Sequence, residues 1–101
     1  MEIACGGSHS ILRTTSKKIY TFGSGRKGQL GHGTTGSEEQ PRLVKFFESK
    51  KTYTPLQVAA SFNSSIVLLS DHKVYWFGTN GTIKMCLTPT QMQLKEKVSI
   101  Y

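Results

Sequence analysis

A unit that recurs at a fixed spacing constrains this chain more than any other feature. Displacing the sequence by 55 residues lays residues 3–26 over 58–81 without a gap. Seven of the 24 pairs are identical: Ala4 with Ala59, Ser10 with Ser65, Ile11 with Ile66, Lys18 with Lys73, Tyr20 with Tyr75, Phe22 with Phe77 and Gly23 with Gly78. Ile3 with Val58 and Ile19 with Val74 are conservative. Self-similarity of this kind marks stacked supersecondary units, none of which buries its apolar face alone. The spacing never slips, so both copies are expected to share one backbone plan.

Within each copy the pattern is that of strands. Residues 3–5 are short and apolar, Gly6 and Gly7 break the run, and residues 9–14 resume it around Ile11 and Leu12. A polar turn at residues 15–17 leads into residues 19–22, rich in β-branched and aromatic side chains, and Gly23 ends them. Pro41 opens a fourth run over residues 42–47, because proline is tolerated at a strand's first residue or on an edge. The second copy reads as strands over 56–60, 65–70, 74–77 and 91–94, and residues 98–101 look like the first strand of a third unit. Residues 65–69 are continuously apolar after Ser65, which predicts burial on both faces. No segment carries a sustained 3.6-residue period with a cap; residues 45–51 come nearest and are too short. The expectation is an all-β chain of four-stranded antiparallel units.

Residues Ile3-Ala4-Cys5-Gly6-Gly7-Ser8-His9-Ser10, Ile19-Tyr20-Thr21-Phe22-Gly23 and Gly28-Gln29-Leu30-Gly31-His32-Gly33, with a later Pro41, carry a wider pattern. It resembles the repeat of the regulator-of-chromosome-condensation (RCC-type) propeller family. The resemblance implies a β-propeller, usually seven-bladed, of which residues 1–101 form an incomplete part. Residues 1–47 would be a first repeat, 56–97 a second, degenerate one, and 98–101 the start of a third. The second copy departs from the pattern: Ser61 and Ser64 stand where Gly6 and His9 do, His72 sits at a usual turn glycine, and Lys84-Met85-Cys86-Leu87 replaces the glycine loop. The family's members resemble one another in serving as binding platforms, and its founding type exchanges guanine nucleotide on a Ran-type small GTPase and docks on nucleosomes.

Residues 23–28, Gly-Ser-Gly-Arg-Lys-Gly, match a G-x-G-x-x-G phosphate loop letter for letter. A dinucleotide fold needs a helix directly after that loop, and the three glycines among residues 29–36 forbid one. Gly23, Gly25, Gly28, Gln29, Leu30, Gly31, Gly33 and Gly78 are therefore read as structural, with glycine supplying positive φ for a connection folded onto its own blade. His9, His32 and His72 lack metal spacing; Ser8, His9 and Asp71 have no nucleophile elbow around them to make a triad. Cys5 and Cys86 form neither a zinc pattern nor a disulfide framework. Tyr20, Phe22, Tyr75, Trp76 and Phe77 alternate as sheet-packing residues do, rather than as a base-stacking platform. No enzymatic constellation, cofactor or metal is expected.

Thirteen Lys and Arg against six Asp and Glu leave a formal charge of +7, which favours acidic partners. If the strands run in order across each unit, Lys17, Lys18, Lys50, Lys51 and Lys73 share one rim, while Arg26, Lys27 and Lys84 share the other. The first set is the candidate partner-binding surface. The expected function is a non-enzymatic protein-interaction scaffold; the alternative is part of a guanine-nucleotide exchange factor. The expected partner is a protein, either a small GTPase or an acidic protein surface, with nucleic acid or a nucleosome less supported and no membrane. Other blades or other chains are expected to complete the fold. With no signal pattern at its start, the chain is expected inside the cell, in cytoplasm or nucleus.

Overall fold

A computed structural model describes residues 1–48, 54–79 and 85–91. Four strands, β1 (Glu2–Cys5), β2 (His9–Arg13), β3 (Ile19–Gly23) and β4 (Glu38–Leu43), form one antiparallel sheet in chain order. A single helical turn, α1 (Lys45–Glu48), follows. Strands β5 (Pro55–Ala60), β6 (Ser64–Leu69), β7 (Val74–Thr79) and β8 (Met85–Gln91) form a second sheet of the same plan. The expected all-β architecture of two four-stranded units is thus observed.

The register divides each sheet into two faces. In the first, Ile3, Leu12, Tyr20 and Leu43 are aligned across the strands, and Ala4, Ile11, Thr21 and Arg42 form the adjacent, opposite-facing row. In the second, Val58, Val67, Tyr75 and Gln91 align, and Ala59, Ile66, Trp76 and Thr90 face the other way. The core lies between the sheets: Ile11 and Ile19 from the first meet Val58, Val67, Leu69, Tyr75 and Phe77 from the second. Val44 and Phe47 close one end of it, and Phe47 meets Tyr75 edge-on at 6.2 Å between ring centroids. Fully burying each such side chain stabilises by about 1.5–3 kcal/mol. Glu2 adds a polar tie, its Oε1 accepting from Val58 N across the sheets at 3.0 Å and from Arg13 Nε at 3.2 Å.

Three expectations are corrected. The fourth strands lie earlier than residues 42–47 and 91–94, at Glu38–Leu43 and Met85–Gln91. Pro41 and Pro89 sit inside them, each one residue before the partner of Thr21 or Trp76 and beside a register shift. Both strands are sheet edges, where a missing N–H costs no ladder bond. Second, residues 45–48 do form one helical turn, which folds Phe47 under the core. Third, β6 is not buried on both faces: Ser65, Val67 and Leu69 are buried, while Ile66 and Leu68 are half-buried on the side away from the first sheet. The third-unit strand expected at 98–101 lies outside the described residues, as do residues 92–94.

Candidate functional site

The connection from β3 to β4 is stitched by its own turns and then laid across the second sheet. Gly28 N donates to Gly25 O at 2.9 Å, Gly31 N to Gly28 O at 3.2 Å, and Lys27 N to the Gln29 side chain at 2.8 Å. Ser24 N is held by Ser8 O and Gly25 N by Ser37 Oγ. The amides of Ser24, Gly25, Lys27 and Gly28, four that a phosphate would need, are thus spent on the chain itself. Gly33 N donates to Leu87 O of β8 at 2.9 Å, so the loop joins both sheets rather than folding only onto its own. Gly31 has φ 76°, and a Cβ there would stand 2.8 Å from the Phe77 ring, so only glycine lets the backbone lie on that ring. Gln29 and Leu30 are almost wholly buried beneath it.

A polar key sits under the loop. His9 is buried, and its Nε2 lies 3.1 Å from Ser64 O and 2.9 Å from Ser65 Oγ. Ser65 Oγ donates to Gln29 O at 2.8 Å. A carbonyl only accepts, so Nε2 carries the proton and shares it between Ser64 O and Ser65 Oγ. Nδ1 is buried without a hydrogen-bond partner among the described residues. Burial lowers the His9 pKa below the ordinary histidine value, against the opposing Ser64 carbonyl bond. His32 is likewise lowered by burial, then by Arg42; Thr21 Oγ1 donates to Leu30 O at 2.8 Å and accepts from His32 Nε2 at 3.0 Å. Both histidines therefore act as neutral parts of the loop seat. His9 faces Ser64 and Ser65, not Asp71, so no triad forms.

In the second unit Ser61 and Ser64 replace the glycine and histidine, and their hydroxyls hydrogen-bond to each other. The replacements belong together: a Cβ at Gly6 would stand 2.3 Å from His9 Cε1, so histidine demands glycine there.

The rim of lysines is built from the opposite strand ends. Lys17 and Lys73 are exposed in the β2–β3 and β6–β7 turns, and Lys18 pairs with Glu48 of α1 at 2.9 Å. Ser70 N donates to Thr54 O, so the connection after α1 also touches the second turn. Lys17, Lys18 and Lys73 thus lie in or beside turns at corresponding ends of the two sheets, and among the described residues Lys18 is ion-paired with Glu48. Lys50, Lys51 and Lys84 lie outside the described residues. Lys17 and His72, one unit apart, both take φ 68°. Arg26 and Lys27 are exposed on the other rim.

A shallow cleft of about 260 Å³ lies beside the loop, lined by Gly31, His32, Arg42, Lys45, Phe46 and Thr88 among others. Arg42 in it is held by Glu38 at 2.7 Å. Among the described residues no group of three His, Cys, Asp or Glu could hold a metal ion, and no helix is long and apolar enough to cross a membrane. The Ser65 role escaped sequence reading; its identity with Ser10 one unit earlier was the available signal.

A family model for the regulator of chromosome condensation (RCC1) repeat matches residues 18–68, and a second model of that repeat matches residues 2–29. The chain is 34% identical over 110 residues to the regulator of chromosome condensation of Xenopus laevis, covering 97% of this chain and 25% of that protein. It is 39% identical over 79 residues to the E3 ubiquitin-protein ligase MYCBP2 of Danio rerio, covering 78% and 2%. Among solved structures it is similar to human WBSCR16, with TM-score 0.81, 20% identity and coverage of 94% and 25%. It is also similar to Prp20p of Saccharomyces cerevisiae, described with its binding to Gsp1p and histones, with TM-score 0.76, 24% identity and coverage of 95% and 26%. The chain spans about a quarter or less of each of these proteins.

Proposed function

The chain belongs to the RCC1-repeat family, as two blades of its β-propeller, and from that premise we propose that it is a non-enzymatic interaction scaffold whose lysine rim receives an acidic protein surface. Residues 1–47 and 56–97 act as its two repeats, and residues 98–101 open a third. The observation that carries the rim is the convergence of three segments. The β2–β3 turn, the β6–β7 turn and the connection after α1 meet through the Lys18–Glu48 pair and the Ser70–Thr54 bond. Lys17 and Lys73 are exposed cations of the two turns, and we propose that Lys50 and Lys51, which lie between Glu48 and Thr54 in sequence, belong to the same rim.

A second reading is favoured by the likeness to the Xenopus regulator of chromosome condensation and to Prp20p, which binds Gsp1p. On it, the chain is part of an exchange factor for a Ran-type small GTPase.

One experiment separates the readings: titration of such a GTPase, loaded with fluorescent GDP, with the chain and with a variant carrying Glu at Lys17, Lys18, Lys50, Lys51 and Lys73. The scaffold reading expects binding that weakens between 50 and 200 mM salt, falls at least tenfold in the variant and leaves GDP release unchanged. Accelerated release instead establishes exchange. Salt-insensitive binding that survives the reversal removes the rim from the function.

A further inference from the structure

We propose that the two outward faces of this chain bind one another between copies, so that the chain assembles head to tail through a repeat of its own internal interface. This goes beyond the lysine rim and stands whether or not that rim takes an acidic partner.

The internal interface has a giving side and a receiving side. The first sheet gives Ile11, Ile19 and the His9 key; the second receives them on Val58, Ser65, Tyr75 and Phe77. One unit earlier, the receiving positions hold Ile3, Ser10, Tyr20 and Phe22, three of them identical and one conservative. They lie on the uncovered face of the first sheet, where Ile3 is 58% exposed and Tyr20 and Phe22 are half-buried. One unit later, the giving positions hold Ile66 and Val74, joined by Trp76 in place of Thr21, all half-buried on the uncovered face of the second sheet. Even the polar tie recurs: exposed Gln57 stands where Glu2 does, one unit on, with a side-chain oxygen suited to the Ile3 amide as Glu2 suits that of Val58.

Among the described residues the two sheets therefore share one formed copy of the interface, and each outward face carries one half of another. The halves differ, so two copies cannot satisfy both by a twofold axis; the contact is heterologous and runs on until a ring closes or a filament grows. Two elements are missing: the glycine loop, which residues 84–87 replace in the second unit, and the histidine. Ser64 replaces the histidine, and Ser10 Oγ instead reaches Cys5 Sγ at 3.5 Å. Contact between copies is consequently weaker than contact within one, and assembly depends on concentration.

The test is sedimentation velocity of the 101-residue chain from about 1 to 200 μM, with Tyr20→Lys to spoil the receiving face and Trp76→Lys to spoil the giving face. Wild type is expected to grow beyond a dimer with concentration. Each variant alone is expected to stay monomeric, and their equimolar mixture to stop at a heterodimer, since one intact face of each kind remains. Ile3→Lys and Ile66→Lys form a second pair with the same expected pattern, and circular dichroism confirms that each variant keeps its sheets. Ser61→Gly with Ser64→His rebuilds the key and is expected to tighten assembly about fivefold, as one net hydrogen bond does. A wild-type chain monomeric throughout overturns the proposal. So does a folded variant pair that assembles like wild type or fails to form the heterodimer when mixed, or a rebuilt key that leaves assembly unchanged.

Discussion

Ser65 and Ser10 are the same residue at the same place in two consecutive units, yet their removal should have very different costs. Ser65 is wholly buried; its hydroxyl donates to Gln29 O at 2.8 Å and accepts from His9 Nε2 at 2.9 Å. Ser65→Ala leaves the Gln29 carbonyl without that donor, which costs about 1–3 kcal/mol, and removes one branch of a shared histidine bond, about 0.5–1 kcal/mol more. His9 keeps Ser64 O, so its ring is not stranded. The sum is about 1.5–4 kcal/mol, a large share of the stability of a domain this small. At about 4–8 °C per kcal/mol, the melting temperature should fall by roughly 6–30 °C. Ser10→Ala removes only a 3.5 Å contact with Cys5 Sγ and should cost less than about 0.5 kcal/mol. Urea unfolding followed through Trp76, the chain's single tryptophan, measures both at one fixed low protein concentration. Equal costs for the two alanines would refute the reasoning, because the difference between them is the seated loop.

Two further outcomes bear on the same seat. Gly31→Ala should cost about 2–4 kcal/mol, combining a side chain at φ 76° with a Cβ 2.8 Å from the Phe77 ring. Gly36→Ala meets nothing closer than 3.8 Å and should stay within about 0.5 kcal/mol, so denaturation of the pair reads the contact directly. Acid should loosen the fold before the carboxylates titrate. The His9 and His32 pKa values are lowered by burial, so the unfolded chain binds more protons. Their contribution is complete above the ordinary histidine value near 6.5 and is lost as pH falls from there toward the lowered folded values. A urea midpoint flat between pH 7 and pH 5 would contradict the neutral, buried state of both rings.

How much of this was legible depends on whether a feature is periodic or merely adjacent in space. The 55-residue spacing and the alternation within residues 19–22 and 74–77 are periodic, and they place β1–β3 and β5–β7 within a few residues of their observed bounds. The fourth strands are not: Pro41 and Pro89 lie 48 residues apart, because the second unit has the shorter connection, and the frame that aligns the first three strands misses them. Pro41 was read as a strand opener when it is an interior residue of an edge, a distinction that hangs on which neighbour lacks a partner. The apolar run after Ser65 exceeded what two sheets can cover, so Ile66 and Leu68 remain half-buried. The glycine loop was legible as a backbone device. That its seat is the next sheet was not, since Gln29 and Ser65 are 36 residues apart and nothing local couples them.

The degeneracy of the second unit follows from the same asymmetry. An interface between consecutive blades takes a loop, a histidine and one sheet face from the earlier blade, and only the opposite face from the later one. The identities that survive across the repeat at Ser10/Ser65, Tyr20/Tyr75, Phe22/Phe77 and Gly23/Gly78 serve the receiving side or end its strand. The losses, Gly6 to Ser61 and His9 to Ser64, fall on the giving side, which in the second unit is turned away from the internal core. Ser64 still serves that core through its carbonyl, which any residue would supply; Ser65 serves it through its hydroxyl, which few could. The second blade thus keeps the receiving side chains that this chain uses, while its outward face keeps Ala59 and Ile66 but loses the glycine and the histidine. A repeat can look half-erased in sequence while its packed interface keeps the side chains that hold it.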